Sequence, residues 1–511
     1  MKHIILKLKR ILQTTIIGSI LLSCGDMLNT TSKDFYIEES FWQTSQHAMD
    51  AITGCYRVLN ETGMYGEYTI NMFECMTPNA FHKDNYYNTR DFATGSHTGT
   101  TLGMNQITWR VCYRGIGRCN NVIEKVPGIA MDEKLKNRII GEAKFLRAFY
   151  YWKMNAVFQG VPLILSSPNL ERDANLPRNS YEEVKNQIIK DLDEALPVLE
   201  TRYSRADDGR ATKGAALALK AKVLLQDLDY VGAKAACEDL FLLNRYKLFP
   251  NYNGLFRQAN TGNSSVIFDV RWKYPFTNCN YDLYHGQYNT QAPVQELIDA
   301  YQMIDGKSID ESPLYDPSNP FENRDPRLSQ TIAWVGKPWR NRIASAADFH
   351  QTGYAFIKYT EYNATSTGVI SSSDIPYVIL RYADVLLMYA EAVNELEGPT
   401  MSVYDAVNEV RGRESVNMPP LPLNLSKEQM REAIQLERRI EMAGEDDYFY
   451  AIRRWKTVET LMNGSVHASS IPPYNGAIIE TRTFDPERDY LWPIPYTEID
   501  LNPNLAQNPG Y

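Results

Sequence analysis

"KGAALALKAKVLLQDLDYVGAKAACEDLFLLN", residues 213–244, decides the fold. Both halves carry Ala and Leu at helical spacing, and Asp227–Asp229 breaks the run between them. Alanine loses no side-chain entropy in a helix and leaves little bulk on its surface, so two such segments can pack closely as a hairpin. The plan recurs in "YADVLLMYAEAVNELEGPTMSVYDAVNEVRGRE" (382–414), where Gly398-Pro399 is the break. "SQHAMDAITGCYRVLNE" (45–61) places Ala48, Ile52, Cys55, Tyr56 and Leu59 on one stripe. "GEAKFLRAFYYWKMNAVFQG" (141–160) predicts a helix from Glu142 to a stop at Gly160, with Pro162 beyond. Helix pairs with Ala at the contact and Tyr near the second start point to tetratricopeptide-like units; a plain αα-hairpin bundle is the alternative. The expected class is mostly α, with a loop-rich second part containing a few short strands.

Strand signals are sparse. In "SSVIFDVRWKY" (264–274), Val266, Phe268, Val270, Trp272 and Tyr274 alternate with polar or opposite-facing residues, a period of two. Pro275 argues against a central strand beyond that point. Long irregular stretches fill 76–105, 273–292, 312–352 and 463–490, and loops of that length inside a domain are functional or disordered as a rule. These are too aromatic for disorder.

The N-terminus predicts the compartment. Lys2, Lys7, Lys9 and Arg10 precede thirteen mostly apolar residues, Ile11 to Ser23, which run into "LLSC" at Cys24. A helix that stays in a bilayer needs about 20 apolar residues, so this is a secretory signal. Cys24 after Leu21-Leu22-Ser23 looks like a bacterial lipobox whose thiol is acylated; an ordinary signal peptide with an incidental Cys is the alternative. The acyl chains of such an anchor contribute about 0.8 kcal/mol per buried CH₂. Residues 24–511 number 488, enough for a large core. The chain carries −9, and the leader takes four cations and no acid with it, leaving −13. That balance argues against nucleic acid as a partner. The remaining cysteines, Cys55, Cys75, Cys112, Cys119, Cys237 and Cys279, show no CxxC spacing and read as buried thiols, not a zinc site.

Enzyme chemistry finds little support. Glu437, Glu441 and Glu445 fall four apart on one helical face, whereas a glycosidase needs its two acids across the sugar from each other. Arg438, Arg439, Arg453, Arg454 and Arg381 supply cations to pair them. The histidines are scattered, no GxSxG or GxxxxGK[ST] motif occurs, and "RADDGR" (205–210) is too short for a calcium loop. No catalytic residue, metal or cofactor is expected.

Seven segments together give a family. They are "ESFWQTSQHAMDAITGCY" (39–56), "GEAKFLRAFYYWKMNAVFQGVPLI" (141–164), "GRATKGAALALKAKVLLQDLDYVGAKAACE" (209–238), "VILRYADVLLMYAEAVNE" (378–395), "VNEVRGRE" (407–414), "LERRIEMAGEDDYFYAIRRW" (436–455) and "LWPIPYTEIDLNPNLAQNPGY" (491–511). In this order behind a lipobox, they make the chain resemble the SusD/RagB family of outer-membrane lipoproteins. One departure is that many relatives carry a Gly-Arg pair after the last Glu, where this chain has Asp446-Asp447, which puts the local ion pairing in question. The resemblance implies a signal peptide over 1–23 and two intertwined regions, 24–240 and 260–511. It implies a surface-exposed, non-enzymatic subunit, lipid-anchored in the outer membrane through Cys24, that binds oligosaccharide and closes over a SusC-like TonB-dependent transporter. Some relatives handle peptides, so a RagB-like peptide receptor is the second reading and a surface glycan hydrolase the third.

The candidate site follows from sugar chemistry. A pyranose shows an apolar C–H face and a rim of hydroxyls; Tyr and Trp supply rigid faces with a polar handle, and planar amides and guanidinium groups meet the rim. "RWKYPFTNCNYDLYHGQYN" (271–289) interleaves both kinds. It offers Trp272, Tyr274, Tyr281, Tyr284 and Tyr288, of which Tyr281, Tyr284 and Tyr288 line up if the segment coils; continuation of the strand into the core is the alternative for Trp272 and Tyr274. "NAFHKDNYYNTRDF" (79–92) offers Tyr86, Tyr87, Asn88 and Arg90, and "AWVGKPWRNR" (333–342) offers Trp334, Trp339, Arg340 and Asn341. The three loops must converge to share a surface. Trp109, Trp152 and Trp455 read as packed.

Overall fold

The computed structural model describes residues 41–363 and 365–511, together with 1, 3 and 4; Cys24 and most of the leader lie outside the described residues. The principal helices are α1 (Ser45–Arg57), α2 (Met104–Lys125), α3 (Glu133–Phe158), α4 (Tyr181–Ala195), α5 (Lys213–Gln226), α6 (Tyr230–Leu242), α7 (Tyr382–Glu397), α8 (Met401–Arg411), α9 (Lys427–Glu441) and α10 (Asp447–Arg454).

The breaks fall where the residues demand. Between α5 and α6, the Asp229 carboxylate caps the second helix by accepting from the Gly232 N–H at 2.9 Å. Glu397 ends α7 and Met401 opens α8, across Gly398-Pro399. α3 starts earlier than its motif suggests, capped by Asp132, and ends at Gln159 and Gly160, both with positive φ. Serine and a side-chain acceptor three residues on form capping boxes at α4 (Ser180, Glu183) and α9 (Ser426, Gln429).

Consecutive helices pack as pairs. α2 lies so close to α3 that a Cβ at Gly115 would sit 2.5 Å from the Tyr150 ring. Small faces do the same for α5, whose Ala215, Ala216, Ala218 and Ala221 are all buried. Trp109 and Trp152 join this core, as do Cys55, Cys112, Cys119, Cys237 and Cys279, while Cys75 packs in a separate cluster with Ala80 and Leu297; all six described cysteines are free thiols.

Among the described residues the strands form five antiparallel two-stranded sheets. β2 (Val266–Val270) pairs with β8 (Tyr377–Arg381) and so ties the two halves of the chain together. It stops short of the expected length, and its register shifts on either side of Phe268. Simple alternation fails there, because Ile267 and Asp269 are buried as well as Phe268 and Val270. Asp269 is kept satisfied by Arg271 Nε at 3.0 Å.

Buried charge joins the helical half to the rest. Lys222 of α5, Asp384 of α7, Arg438 of α9 and Asp447 of α10 close a ring through contacts of 2.5 to 2.9 Å. Asp447 therefore has two cations of its own. Asp446 adopts φ 60°, the left-handed region favoured by glycine, and accepts from the Glu74 N–H at 2.9 Å. Of the pair left in question, Asp447 is thus ion-paired, whereas Asp446 is met by a backbone N–H.

Candidate functional site

Two short strand pairs bring the three loops side by side. β1 (Ala80–His82) pairs with β3 (Gln291–Pro293), and β4 (Ile332–Trp334) pairs with β7 (Tyr354–Phe356). Between them, the Asn289 side-chain amide donates to the Phe349 and Tyr354 carbonyls at 2.9 and 2.8 Å.

Beyond β1, the chain is stitched to the end of the aromatic segment. The Lys83 N–H donates to the Thr290 carbonyl at 2.8 Å, and Thr290 Oγ1 donates to Asp84 at 2.9 Å. Lys83 Nζ donates to the Tyr288 carbonyl at 2.7 Å. Asn85, Tyr87 and Asn88 then turn the backbone through the left-handed region, with φ of 50°, 54° and 53°. Tyr86 is thereby set edge-on to His82, 5.7 Å between centroids, and stays 38% exposed. Tyr288 is 48% exposed, its ring 6.3 Å from Tyr284. The exposed His350 completes the strip; partial burial and the Lys83 ammonium both hold its imidazole below the usual range. The result is a ribbon of two half-exposed phenols flanked by an ammonium, a carboxylate and an imidazole.

Several expected ligand residues are core instead. Trp272 is buried and packs edge-on against Tyr281 at 5.2 Å. Tyr281 is fully buried, its hydroxyl donating to the Tyr65 carbonyl at 2.5 Å. Tyr284 is buried too, although its ring meets Tyr288. Asp282–Gln287 does coil, but as one π-helical turn, in which positions 281, 284 and 288 do not share a face. The turn lies flat on Tyr362, where a side chain at Gly286 would overlap the ring. Trp339 is buried against that same Tyr362 at 5.9 Å.

Others are placed differently from one another. Tyr274 is exposed, but its loop is tied elsewhere: Asp374 accepts from the Tyr274 N–H and from Lys273 Nζ. Trp334 is half-buried and stacks on Phe321 at 4.3 Å, with the Lys337 ammonium over its ring. Arg340 and Asn341 form the turn between β5 (Pro338–Trp339) and β6 (Arg342–Ile343), with φ of 51° and 59°, as a two-residue hairpin turn requires. Asn88 donates to the Leu102 carbonyl at 2.7 Å and so holds its own loop. Arg90 is spent between Glu480, at 2.9 Å, and the Phe81 ring. Tyr87 turns the other way from Tyr86, into a polar cleft of about 450 Å³ that Asn60, Glu67, Arg110 and Arg114 also line.

Lys83, Asp84 and His350 were not singled out by sequence. Two of them stand in the quoted loop, yet only the β1–β3 register shows that they flank an aromatic residue two hundred positions away.

The acidic row of α9 does no surface chemistry. Glu437 is gripped by Arg327 and Arg411, Glu441 by Arg327, Arg381 and Arg413, and Glu445 by Arg381 and Lys358, all buried. Of the five arginines expected to pair this row, Arg381 alone does. Burial by itself would raise the Glu441 pKa, but Arg413, Arg381 and Arg327 hold it far below the usual carboxylate range.

Residues 255–511 match the SusD family, and residues 31–225 match the family described as "Starch-binding associating with outer membrane". SusD-like protein P2 of Formosa agariphila is 28% identical, over 96% of this chain and 97% of its own. A SusD-like carbohydrate-binding protein of Bacteroides fragilis is 26% identical and superposes with a TM-score of 0.85, over 91% of this chain and all of that one. A laminarin-binding SusD-like protein, 22% identical with a TM-score of 0.68, shares the fold over 92% of this chain and all of its own. The names of the last two describe binding proteins, and the family is one of binding proteins rather than enzymes. The chain belongs to the SusD family.

Proposed function

We propose that this protein captures oligosaccharide on the strip formed by Lys83, Asp84, Tyr86, Tyr288 and His350 and delivers it to a SusC-like TonB-dependent transporter. It does so at the surface of the outer membrane, tethered by an acylated Cys24. The name of the B. fragilis relative and the family description support the glycan and the membrane. The observation that carries the site is the pairing of β1 with β3. It places two half-exposed tyrosine rings beside one ammonium and one carboxylate, on a backbone locked by hydrogen bonds. Such a surface stacks on the apolar face of a pyranose and hydrogen-bonds its rim at little entropic cost.

Titration of the protein with a panel of neutral oligosaccharides tests the reading. One of them binds, and Tyr288→Ala and Tyr86→Ala each weaken it at least tenfold with the melting temperature unchanged. Binding that ignores both substitutions removes the strip from consideration.

A further inference from the structure

A second concavity, of about 300 Å³, opens among the helices, between the α5–α6 turn, α7, α9 and the end of α10. It shares no residue with the strip. Tyr230 and Trp455 supply its aromatic lining, Asn394 a buried amide, and Arg431, Arg454 and Lys456 its cations. The volume suits a sugar unit or two and lies at the lower end for ligand pockets.

Its charges are arranged rather than merely present. Glu391 takes Arg454 through two hydrogen bonds, at 2.9 and 2.7 Å, and also accepts from the Trp455 indole N–H at 2.9 Å. Glu395 takes Arg431 in the same two-point manner, at 2.6 and 2.8 Å. Each carboxylate is therefore neutralised while each guanidinium plane is held still, with its Nη1 left without an acceptor among the described residues. Lys456 is exposed and has no ion pair among the described residues. Three cations against two carboxylates leave the cleft positive in a chain of net charge −9.

A second, independent sign lies in Asn394. It is 1% exposed; its Nδ2 donates to the Lys427 carbonyl at 3.1 Å, while its Oδ1 accepts no hydrogen bond among the described residues. A buried amide oxygen left unmet carries an uncompensated desolvation cost, and a ligand hydroxyl is a donor that removes the deficit.

We infer that this cleft is a second saccharide site, taking one anionic sugar residue, a uronate or a sulfated pyranose. Tyr230 and Trp455 receive its apolar face, Asn394 Oδ1 accepts from a ring hydroxyl, and Lys456 with the free Nη1 groups of Arg431 and Arg454 receives the anion. The inference rests on the reading of the protein as a glycan binder, but on other residues than the strip.

The test is calorimetric titration of the mature chain with digalacturonate, with its neutral methyl ester, and with a sulfated disaccharide. At least one of the two anionic probes binds and the ester binds at least tenfold more weakly; which anion is preferred tells a carboxylate ligand from a sulfate one. Lys456→Gln, at an exposed and unpaired position, weakens the anionic probe at least fivefold and flattens its salt dependence. Tyr288→Ala leaves that affinity unchanged. No binding of either anion, equal binding of the ester, or indifference to Lys456→Gln overturns the inference. So does loss of the anionic probe in Tyr288→Ala, which would place it on the strip. Failure of the strip itself shows separately, as neutral-glycan binding that ignores Tyr288→Ala.

Discussion

Lys83 Nζ donates to the carbonyl oxygen of Tyr288 at 2.7 Å, across 205 positions of sequence. That bond anchors an ammonium to the main chain of an exposed aromatic residue, and it joins the loop that carries Lys83, Asp84 and Tyr86 to the one that carries Tyr288.

Lys83→Met keeps the aliphatic stem and removes the charge. Oligosaccharide affinity falls about threefold to tenfold, as for one charge-assisted hydrogen bond at a partly exposed site. The melting temperature stays within about 2 °C, since surface changes of this kind stay within about 0.5 kcal/mol. Calorimetry and a thermal melt on the same preparation check both.

Trp272→Ala has the opposite profile. Its ring is packed on Tyr281 in the core, so the substitution costs about 3–5 kcal/mol of stability. The affinity of the protein that remains folded is unchanged. A denaturant titration alongside a binding titration separates this from Tyr288→Ala, which loses affinity and keeps stability.

Glu441→Gln removes the carboxylate shared by Arg327, Arg381 and Arg413, leaving buried guanidinium groups uncompensated. The expected cost is about 3–5 kcal/mol. Because the folded pKa is depressed, the stability this group confers is present above its unfolded value of 4.5 and is lost as the pH falls through the folded one. The gap between wild type and Glu441→Gln therefore narrows in strong acid, as urea midpoints read at pH 7 and pH 3 would show.

Glu74 has the reverse sign. Burial, opposed by an Asn79 hydrogen bond and reinforced by Asp446, raises its pKa from 4.5 to about 7. The folded state then holds a proton that the unfolded chain has released, so stability declines as the pH rises from about 4.5 to about 7 and is level above. Glu74→Gln abolishes that decline. Its melting temperature relative to wild type rises between pH 5 and pH 8, by an amount equivalent to roughly 1–3 kcal/mol. A constant difference across that range rules the account out.

The helical frame was legible because its signals are local. The break at Asp227–Asp229, the break at Gly398-Pro399 and the stop at Gly160 each depend on a few neighbouring residues, and all three fall where they were read. Helix starts were less certain: α3 begins nine residues before Glu142, on a cap at Asp132 that the quoted motif does not include. The loop aromatics were harder. Trp272, Tyr281 and Trp339 look like ligand residues by composition, since a ring among polar neighbours reads alike whether it faces inward or outward.

By its residues alone, the chain determined a mostly helical scaffold, a family resemblance and a class of ligand chemistry. Helix periodicity, breakers and motif order are properties of short stretches, and they survive without knowledge of what packs against them. Only the tertiary structure decided which tyrosines are exposed, because exposure depends on a partner such as Tyr65, Tyr359 or Tyr362 arriving from far along the chain. It also decided which arginines answer the acidic row of α9. A buried carboxylate needs a cation in contact, and the cations came from residues 327, 358, 381, 411 and 413 rather than from those beside it.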